Sequence, residues 1–417
     1  WNTRSERTLV FNPSDSTQAP RLFNQRNSQD NYADLGDFVT KRNQFQLNTL
    51  DLTDDNLYMI GEGYTPEGKF PFIDQYKISD FTKKRWYQCK ETNRLEQIIS
   101  AIDIKKGQFL TRLESKTSYP NYYIRNLKNN DLRQITHNVN PFKVLDDVHK
   151  EIIKYKREDG VDLSATLYLP VGYDKTKKEK LPMIMWAYPT EFKDKASAGQ
   201  VTSNANEFTF PFYGSPLYWL TKGYVVLDDA AFPIVGEGDK EPNDTFIPQL
   251  VSNAKAAIDA VDGLGYIDRN KVAVGGHSYG AFMTANLLTH SDLFAAGIAR
   301  SGAYNRTLTP FGFQSEERNY WEAPEVYDAM SPFQNADKMK YPLLMIHGEE
   351  DNNSGTYTMQ SERYFNALKG LGAITRLVIL PKESHGYAAR ESILHMLWEQ
   401  DQWLEKYVKN RVIDVKP

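Results

Sequence analysis

The stretch Lys271-Val-Ala-Val-Gly-Gly-His-Ser-Tyr-Gly280 constrains the fold of this chain more than any other. An apolar run leads into Gly276-His277-Ser278-Tyr279-Gly280, and a helix-forming segment, Ala281–His290, leads out. The bare G-x-S-x-G pattern is common by chance. Between a strand and a helix it predicts a sharp turn that lifts the serine hydroxyl above the end of a sheet. Glycines suit the positions on either side, because a Cβ there would meet the neighbouring strand and helix. The same turn aims the backbone N–H of Tyr279 at an oxyanion formed beside Ser278.

The sequence around this motif alternates strands with helices. Strands are expected at Ile152–Lys156, Leu163–Leu169, Met183–Ala187, Tyr224–Asp228, Lys271–Val274, Ala295–Ala299, Leu343–Ile346 and Arg376–Leu380. Several are continuous apolar runs, as parallel strands covered on both faces tend to be. Helices are expected at Leu250–Val261, Ala281–His290, Ser361–Lys369 and Ile393–Val408. This alternation predicts a mostly parallel sheet with helices on its faces. With the serine turn it reads as an α/β-hydrolase catalytic domain over residues 146–417.

A serine hydroxyl is a weak nucleophile near neutral pH, so it needs a base, and the base needs an orienting acid. On this fold the chain order is Ser, acid, His. Of the seven histidines, His137 and His149 come before the catalytic segment and His277 lies inside the turn. His290 ends a helix, His347 closes a strand, and His395 lies in the last helix. His385, in Pro381-Lys-Glu-Ser-His-Gly-Tyr387, follows an apolar strand and precedes the last helix. It is the expected base for Ser278. The acid should follow the preceding strand, in Glu349-Glu350-Asp351-Asn352-Asn353. Asp351 is the choice, with Glu349 and Glu350 as alternatives. A second oxyanion donor should come from the loop after Met183–Ala187. The Tyr188 hydroxyl is the candidate there; an aromatic lid is its other reading.

Residues 1–145 carry a different pattern. Tyr58–Tyr64, Phe72–Ile78, Phe109–Leu113, Asn121–Leu127 and Asp131–Thr136 read as short strands separated by turns such as Thr65-Pro-Glu-Gly68. The phrase recurs after about 45 residues, as in β-propeller blades; an irregular β-sandwich is the alternative. About 145 residues make two or three blades, fewer than a closed propeller needs. The reading is therefore a partial β-propeller. The chain opens at Trp1 rather than Met, so its natural N-terminus, with any targeting segment, is expected upstream.

Composition excludes several function classes. A formal net charge of −4 with no basic block gives no expectation of nucleic acid as partner. No apolar run reaches the roughly 18 residues of a membrane span. The single cysteine, Cys89, allows neither an intrachain disulfide nor a thiolate cluster, and no His/Asp group has ligand spacing. No metal and no cofactor are expected.

A β-propeller before an α/β-hydrolase domain resembles the prolyl oligopeptidase family of serine peptidases. Lys154–Val161 and Leu163–Pro170 look like the first strands of that family's catalytic domain. Gly276–Gly280, His347-Gly-Glu-Glu-Asp351 and Glu383-Ser-His-Gly386 match its three catalytic blocks. Trp186-Ala-Tyr-Pro189 and Ser301–Gly312 are most similar to the glutamyl endopeptidase branch. There are two departures. The family often sets its oxyanion tyrosine in a Tyr-x-Gly-Pro-like or Tyr-Gly-Gly context, and alignment on Pro189 puts Trp186 at that place. The family's propeller is also complete, whereas this one is short.

The resemblance implies peptide substrates and cleavage after acidic residues. A buried substrate carboxylate needs a cationic partner. Arg306, beyond the tip of the strand Ala295–Ala299, is the first choice, with Arg300 and Arg318 as structural ion-pair candidates. Phe313, Tyr320 and Trp321, with Phe311, are candidate walls of the substrate pocket; core packing is their other reading. Dipeptidyl- or acylaminoacyl-peptidase activity within the family, and ester hydrolysis on the same fold, are the alternative functions.

Overall fold

The computed structural model describes residues 4–412. The chain divides into two compact units. One runs up to Asp146 and takes in Gln200–Phe210; the other comprises Asp147–Gly199 and Pro211 onward.

The first unit is all β. One four-stranded antiparallel sheet orders Lys83–Gln88, Phe72–Lys77, Asn56–Gly61 and Asp37–Phe38. A second orders Leu95–Asp103, Gln108–Glu114, Asn121–Asn126 and Asp131–Gln134, each strand pairing with the next in sequence. Alternation is clearest along Gln108–Glu114, where Phe109, Thr111 and Leu113 point inward. Trp86 packs edge-on against Phe109 at 5.6 Å. Arg125 and Glu96 form a buried two-pronged ion pair. Gln200–Phe210, which the sequence alone leaves with the second half, returns here for physical reasons. Phe208 and Phe210 stack edge-on against Tyr119, and the Tyr32 hydroxyl accepts from the Val201 N–H at 2.9 Å.

The second unit is an α/β-hydrolase domain built on one eight-stranded sheet. Its strands are β1 Lys150–Lys156, β2 Asp162–Tyr168, β3 Leu181–Phe192, β4 Val225–Val235, β5 Ile267–His277, β6 Ala296–Arg300, β7 Leu343–Gly348 and β8 Thr375–Leu380. The spatial order is β1-β2-β4-β3-β5-β6-β7-β8. The first three pair antiparallel, and the rest, from β4 to β8, run parallel. Every residue of β6 and β7 is buried, in keeping with the apolar runs Ala296–Ala299 and Leu343–Ile346 that make up most of them.

Helix α1, Phe246–Gly263, turns Phe246, Leu250, Ala254, Ala257, Ile258 and Val261 inward at helical spacing. Helix α2, Tyr279–His290, is buried at every position but its last. Its fit to β6 is close: a Cβ on Gly297 would come within 2.8 Å of the Thr284 and Leu288 side chains. Helices α3, Met359–Gly370, and α4, Arg390–Leu404, complete the set. Among the described residues no helix is long and apolar enough to cross a membrane.

β3 and β4 run several residues beyond the apolar runs that announce them. After Met185 and Leu227 the register shifts, and Ala187–Phe192 resumes pairing with Ala230–Val235. The bulge falls at Asp228-Asp229, where Asp229 takes a positive φ of 50°. Tyr188 therefore sits within a strand rather than in the expected loop.

Candidate active site

β5 ends at His277 and α2 begins at Tyr279, so the whole reversal falls on Ser278, at φ 59° and ψ −116°. A non-glycine residue pays strain there and holds it only where the surroundings fix the backbone. Several contacts do so. The Ser278 N–H donates to the Arg300 carbonyl at 2.8 Å, and the Ser278 carbonyl accepts from Ala281 and Phe282. A Cβ on Gly276 would lie 2.4 Å from the Gly280 backbone, and one on Gly280 would lie 2.6 Å from the Ala187 carbonyl oxygen. The first-turn N–H groups of a helix have no partner within the helix, and Tyr279 stands first in α2. The Tyr279 side chain is buried, and its hydroxyl donates to Glu191 at 2.7 Å.

The loop after β7 carries Asp351, which is buried. Its Oδ2 accepts from His385 Nδ1 at 2.9 Å, from His347 Nε2 at 2.9 Å and from the Thr356 hydroxyl at 3.1 Å. Its Oδ1 accepts from the Asn353 N–H at 2.9 Å. Burial alone would raise the Asp351 pKa; the bonds from His347 and His385 outweigh it and hold the carboxyl well below its usual range. Because the carboxylate can only accept, His385 must carry its proton on Nδ1, which leaves Nε2 free.

The His385 ring lies 4.8 Å from that of His277, the residue preceding Ser278. Among the described residues neither the Ser278 hydroxyl nor His385 Nε2 makes a hydrogen bond. Such contacts often tighten only when substrate binds. Burial, together with the Arg300 charge, depresses the His277 pKa to about 3.

The loops bearing Asp351 and His385 are laced together. The Glu350 N–H donates to the Glu383 carbonyl at 2.9 Å, and the Ser384 hydroxyl donates to Asn352 Oδ1 at 3.0 Å. Gly348 lies so close to them that a Cβ would come within 2.5 Å of the Glu383 and Ser384 carbonyl oxygens. Glu349 and Glu350, the alternatives to Asp351, are exposed.

A cleft of about 390 Å³ opens beside the serine, lined by Ser278, Tyr279, Arg306, Phe311, Phe313 and Thr356 among others. Arg306 is buried, and its guanidinium lies 4.1 Å from the Phe282 ring centre, 4.4 Å from Phe313 and 5.2 Å from Tyr279. Its Nε has no hydrogen-bond partner, and it forms no ion pair among the described residues. Burial pushes its pKa down.

The other two arginines are committed elsewhere. Arg318 pairs with Glu316 and Asp244. Arg300 donates to the Tyr213 and Gly214 carbonyls and lies over the Trp186 ring.

Tyr320 and Trp321 do not line this cleft. Tyr320 turns edge-on to Tyr327, part of the core, and Trp321 is 69% exposed beside Phe311. The Tyr188 ring packs against Tyr279 and over Gly280, and its hydroxyl accepts from Gln314 Nε2 at 3.2 Å. No group of three or more metal-ligating side chains occurs among the described residues. His347, Thr356 and Glu191 are the site neighbours that the sequence does not reveal. Each acts through a partner that only the folded chain brings near.

Comparison with known proteins follows the same lines. Residues 249–411 match the model of the prolyl oligopeptidase family, and residues 159–323 that of the X-Pro dipeptidyl-peptidase (S15) family. A probable chloroplastic glutamyl endopeptidase of Oryza sativa subsp. japonica is 49% identical over 98% of this chain and 45% of its own length. One of the same name from Arabidopsis thaliana is 49% identical over 98% and 44%. The chain thus spans less than half the length of these curated relatives. In fold it is similar to Porphyromonas gingivalis dipeptidyl peptidase 4, with a TM-score of 0.67, 16% identity, and coverage of 97% of this chain and 60% of that one.

Proposed function

The chain belongs to the prolyl oligopeptidase family, and on that premise we propose that it hydrolyses oligopeptides after glutamate or aspartate through an acyl-enzyme on Ser278. Ser278 Oγ attacks the scissile carbonyl while His385 Nε2 takes its proton. Asp351 orients the imidazole and stabilises the imidazolium that forms. The tetrahedral oxyanion draws on the Tyr279 N–H and the Tyr188 hydroxyl. His385 returns the proton to the leaving amine, the C–N bond breaks, and water repeats the sequence to release the acid.

One observation carries the acidic preference. Arg306 is a buried cation in the cleft that holds Ser278; it forms no direct ion pair among the described residues, and the Glu191 carboxyl that acts on its charge is bonded to the Tyr279 hydroxyl. A glutamate or aspartate side chain entering there would meet a charge already desolvated and held over three aromatic rings. Phe313 supplies an apolar wall, and the glutamyl endopeptidase name of the two plant relatives supports the same preference. The two four-stranded antiparallel sheets of the first unit are read as part of a β-propeller.

Digestion of a peptide library, with the residue before each cut recorded, tests this reading. Cuts are expected mainly after Glu and Asp. A majority after other residues overturns the acidic preference, and a Ser278→Ala chain that still cuts overturns the nucleophile.

A further inference from the structure

His347 reads in the sequence as a residue that closes a strand. The structure assigns it more: we infer that His347 is a positioning residue, whose Nε2–H holds the Asp351 carboxylate in the orientation that faces His385. This rests on the peptidase reading above, because it gives a role to the partner of the acid.

The geometry carries the argument. His347 is fully buried on β7, with β6 on one side of that strand and β8 on the other. Both ring nitrogens are engaged: Nδ1 lies 2.6 Å from the Ser361 hydroxyl of α3, and Nε2 lies 2.9 Å from Asp351 Oδ2. The carboxylate only accepts, so Nε2 donates. In the neutral ring Nδ1 then accepts, and the Ser361 hydroxyl is its donor.

The result is a directional chain from Ser361 through His347 to Asp351, met from the other side by His385 Nδ1 on the same oxygen. Of the donors on Oδ2, the Thr356 hydroxyl can rotate away. Asp351 itself sits on a loop. The Asn353 N–H holds Oδ1 from within the same loop, so His347 is the strand-borne donor that ties the carboxylate to the sheet and aims Oδ2. Orienting partners of this kind hold a ligating or catalytic group in register and typically matter by about 10–100-fold. A histidine buried for packing alone would need only its volume.

The titratable and charged groups around the His385 ring are Asp351 and His277, with His347, Arg300 and Tyr387 behind them. None but His347 and His385 bonds to Oδ2 through an imidazole. If Asp351 is free to turn, the His385 imidazolium loses part of its counter-charge. The proton transfer from Ser278 then slows.

The test compares His347→Leu with His347→Gln in the whole chain. It follows the rate at which a fluorophosphonate probe labels Ser278, from about pH 5 to about pH 9, together with kcat and KM on a peptide. His347→Leu keeps volume but donates nothing. It should label about 10–100-fold more slowly, with KM little changed. His347→Gln restores an amide donor and should recover most of the lost rate. Should the leucine variant not fold, His347→Asn replaces it, since its amide is too short to reach Asp351. A folded donor-less variant with an unchanged rate overturns the inference. So does an equal loss in the glutamine and donor-less variants, which would leave His347 a packing role alone. If the unaltered chain is not labelled at Ser278, the peptidase reading itself falls, and this inference with it.

Discussion

Gly280 lies against Ala187 so closely that a β-carbon on it would stand 2.6 Å from the Ala187 carbonyl oxygen. That contact joins the first turn of α2 to β3, and it sets the height of the serine turn above the sheet. The obstructing atom is backbone in the middle of a paired strand, so it cannot swing aside. Gly280→Ala is therefore expected to cost about 1–3 kcal/mol in stability and to displace the turn. Denaturant unfolding reads the first effect, and the rate of fluorophosphonate labelling at Ser278 reads the second. A variant with unchanged midpoint and labelling rate would show that α2 can shift without cost.

Asp351 and His385 make the second testable pair, at 2.9 Å. Asparagine in place of Asp351 keeps the shape but can present its N–H₂ to the imidazole, which favours the tautomer with the wrong nitrogen protonated. Asp351→Asn should lower kcat by on the order of 10⁴-fold with little change in KM. Steady-state kinetics on one peptide checks it. A loss of less than about tenfold would mean that Asp351 does not orient the base.

How much of this was legible beforehand depends on whether the signal lay within one segment. β6 and β7 are apolar up to Arg300 and His347 at their ends, and they announce themselves. β4 announces only its first half, because Asp228-Asp229 and then Pro233 interrupt its sequence. The register shift absorbs the two acids in a bulge, and pairing resumes at Ala230. Gln200–Phe210 carries no period that ties it to the first unit; its aromatic partner Tyr119 is far away in sequence. In the site, chain order alone links Ser278, Asp351 and His385, because the fold fixes that order. His347 was passed over because it only meets Asp351, four residues on, once the loop folds back. Arg306 and Phe313 share the cleft, whereas Tyr320 and Trp321 follow in sequence on a segment that turns elsewhere.

His277 gives a pH prediction with a definite sign. Its folded-state pKa is depressed from 6.5 to about 3, so between those values the unfolded chain binds the extra proton. Stability therefore falls as pH drops from about 6.5 toward about 3, with a slope of at most ~1.4 kcal/mol per pH unit from this group. His277→Gln should flatten that part of the profile. The Asp351 contribution is separate, because its depressed carboxyl loses stability only below the ordinary carboxylate range. Urea unfolding at several pH values, variant against parent, checks the difference. Parallel profiles across the whole window would refute it.

Arg306 is where specificity can be separated from catalysis. Its guanidinium stacks on Phe282, Phe313 and Tyr279 and forms no direct ion pair among the described residues, although the Glu191 carboxyl acts on its charge. Arg306→Met preserves an unbranched apolar stem and removes the charge, so the cleft keeps its walls. A substrate glutamate would then be buried unpaired, which costs several kcal/mol. The preference for Glu over an isosteric Gln before the cut should fall by about 100-fold or more. Labelling at Ser278 by a small uncharged fluorophosphonate should stay near the parent rate, since that probe makes no use of the charge. The ratio of kcat/KM for two peptides that differ only at that residue is the measurement. An unchanged ratio would remove Arg306 as the selector. Equal losses on both peptides and on labelling would instead make it a support for the Tyr279–Phe282 turn, because it rests on both of those rings.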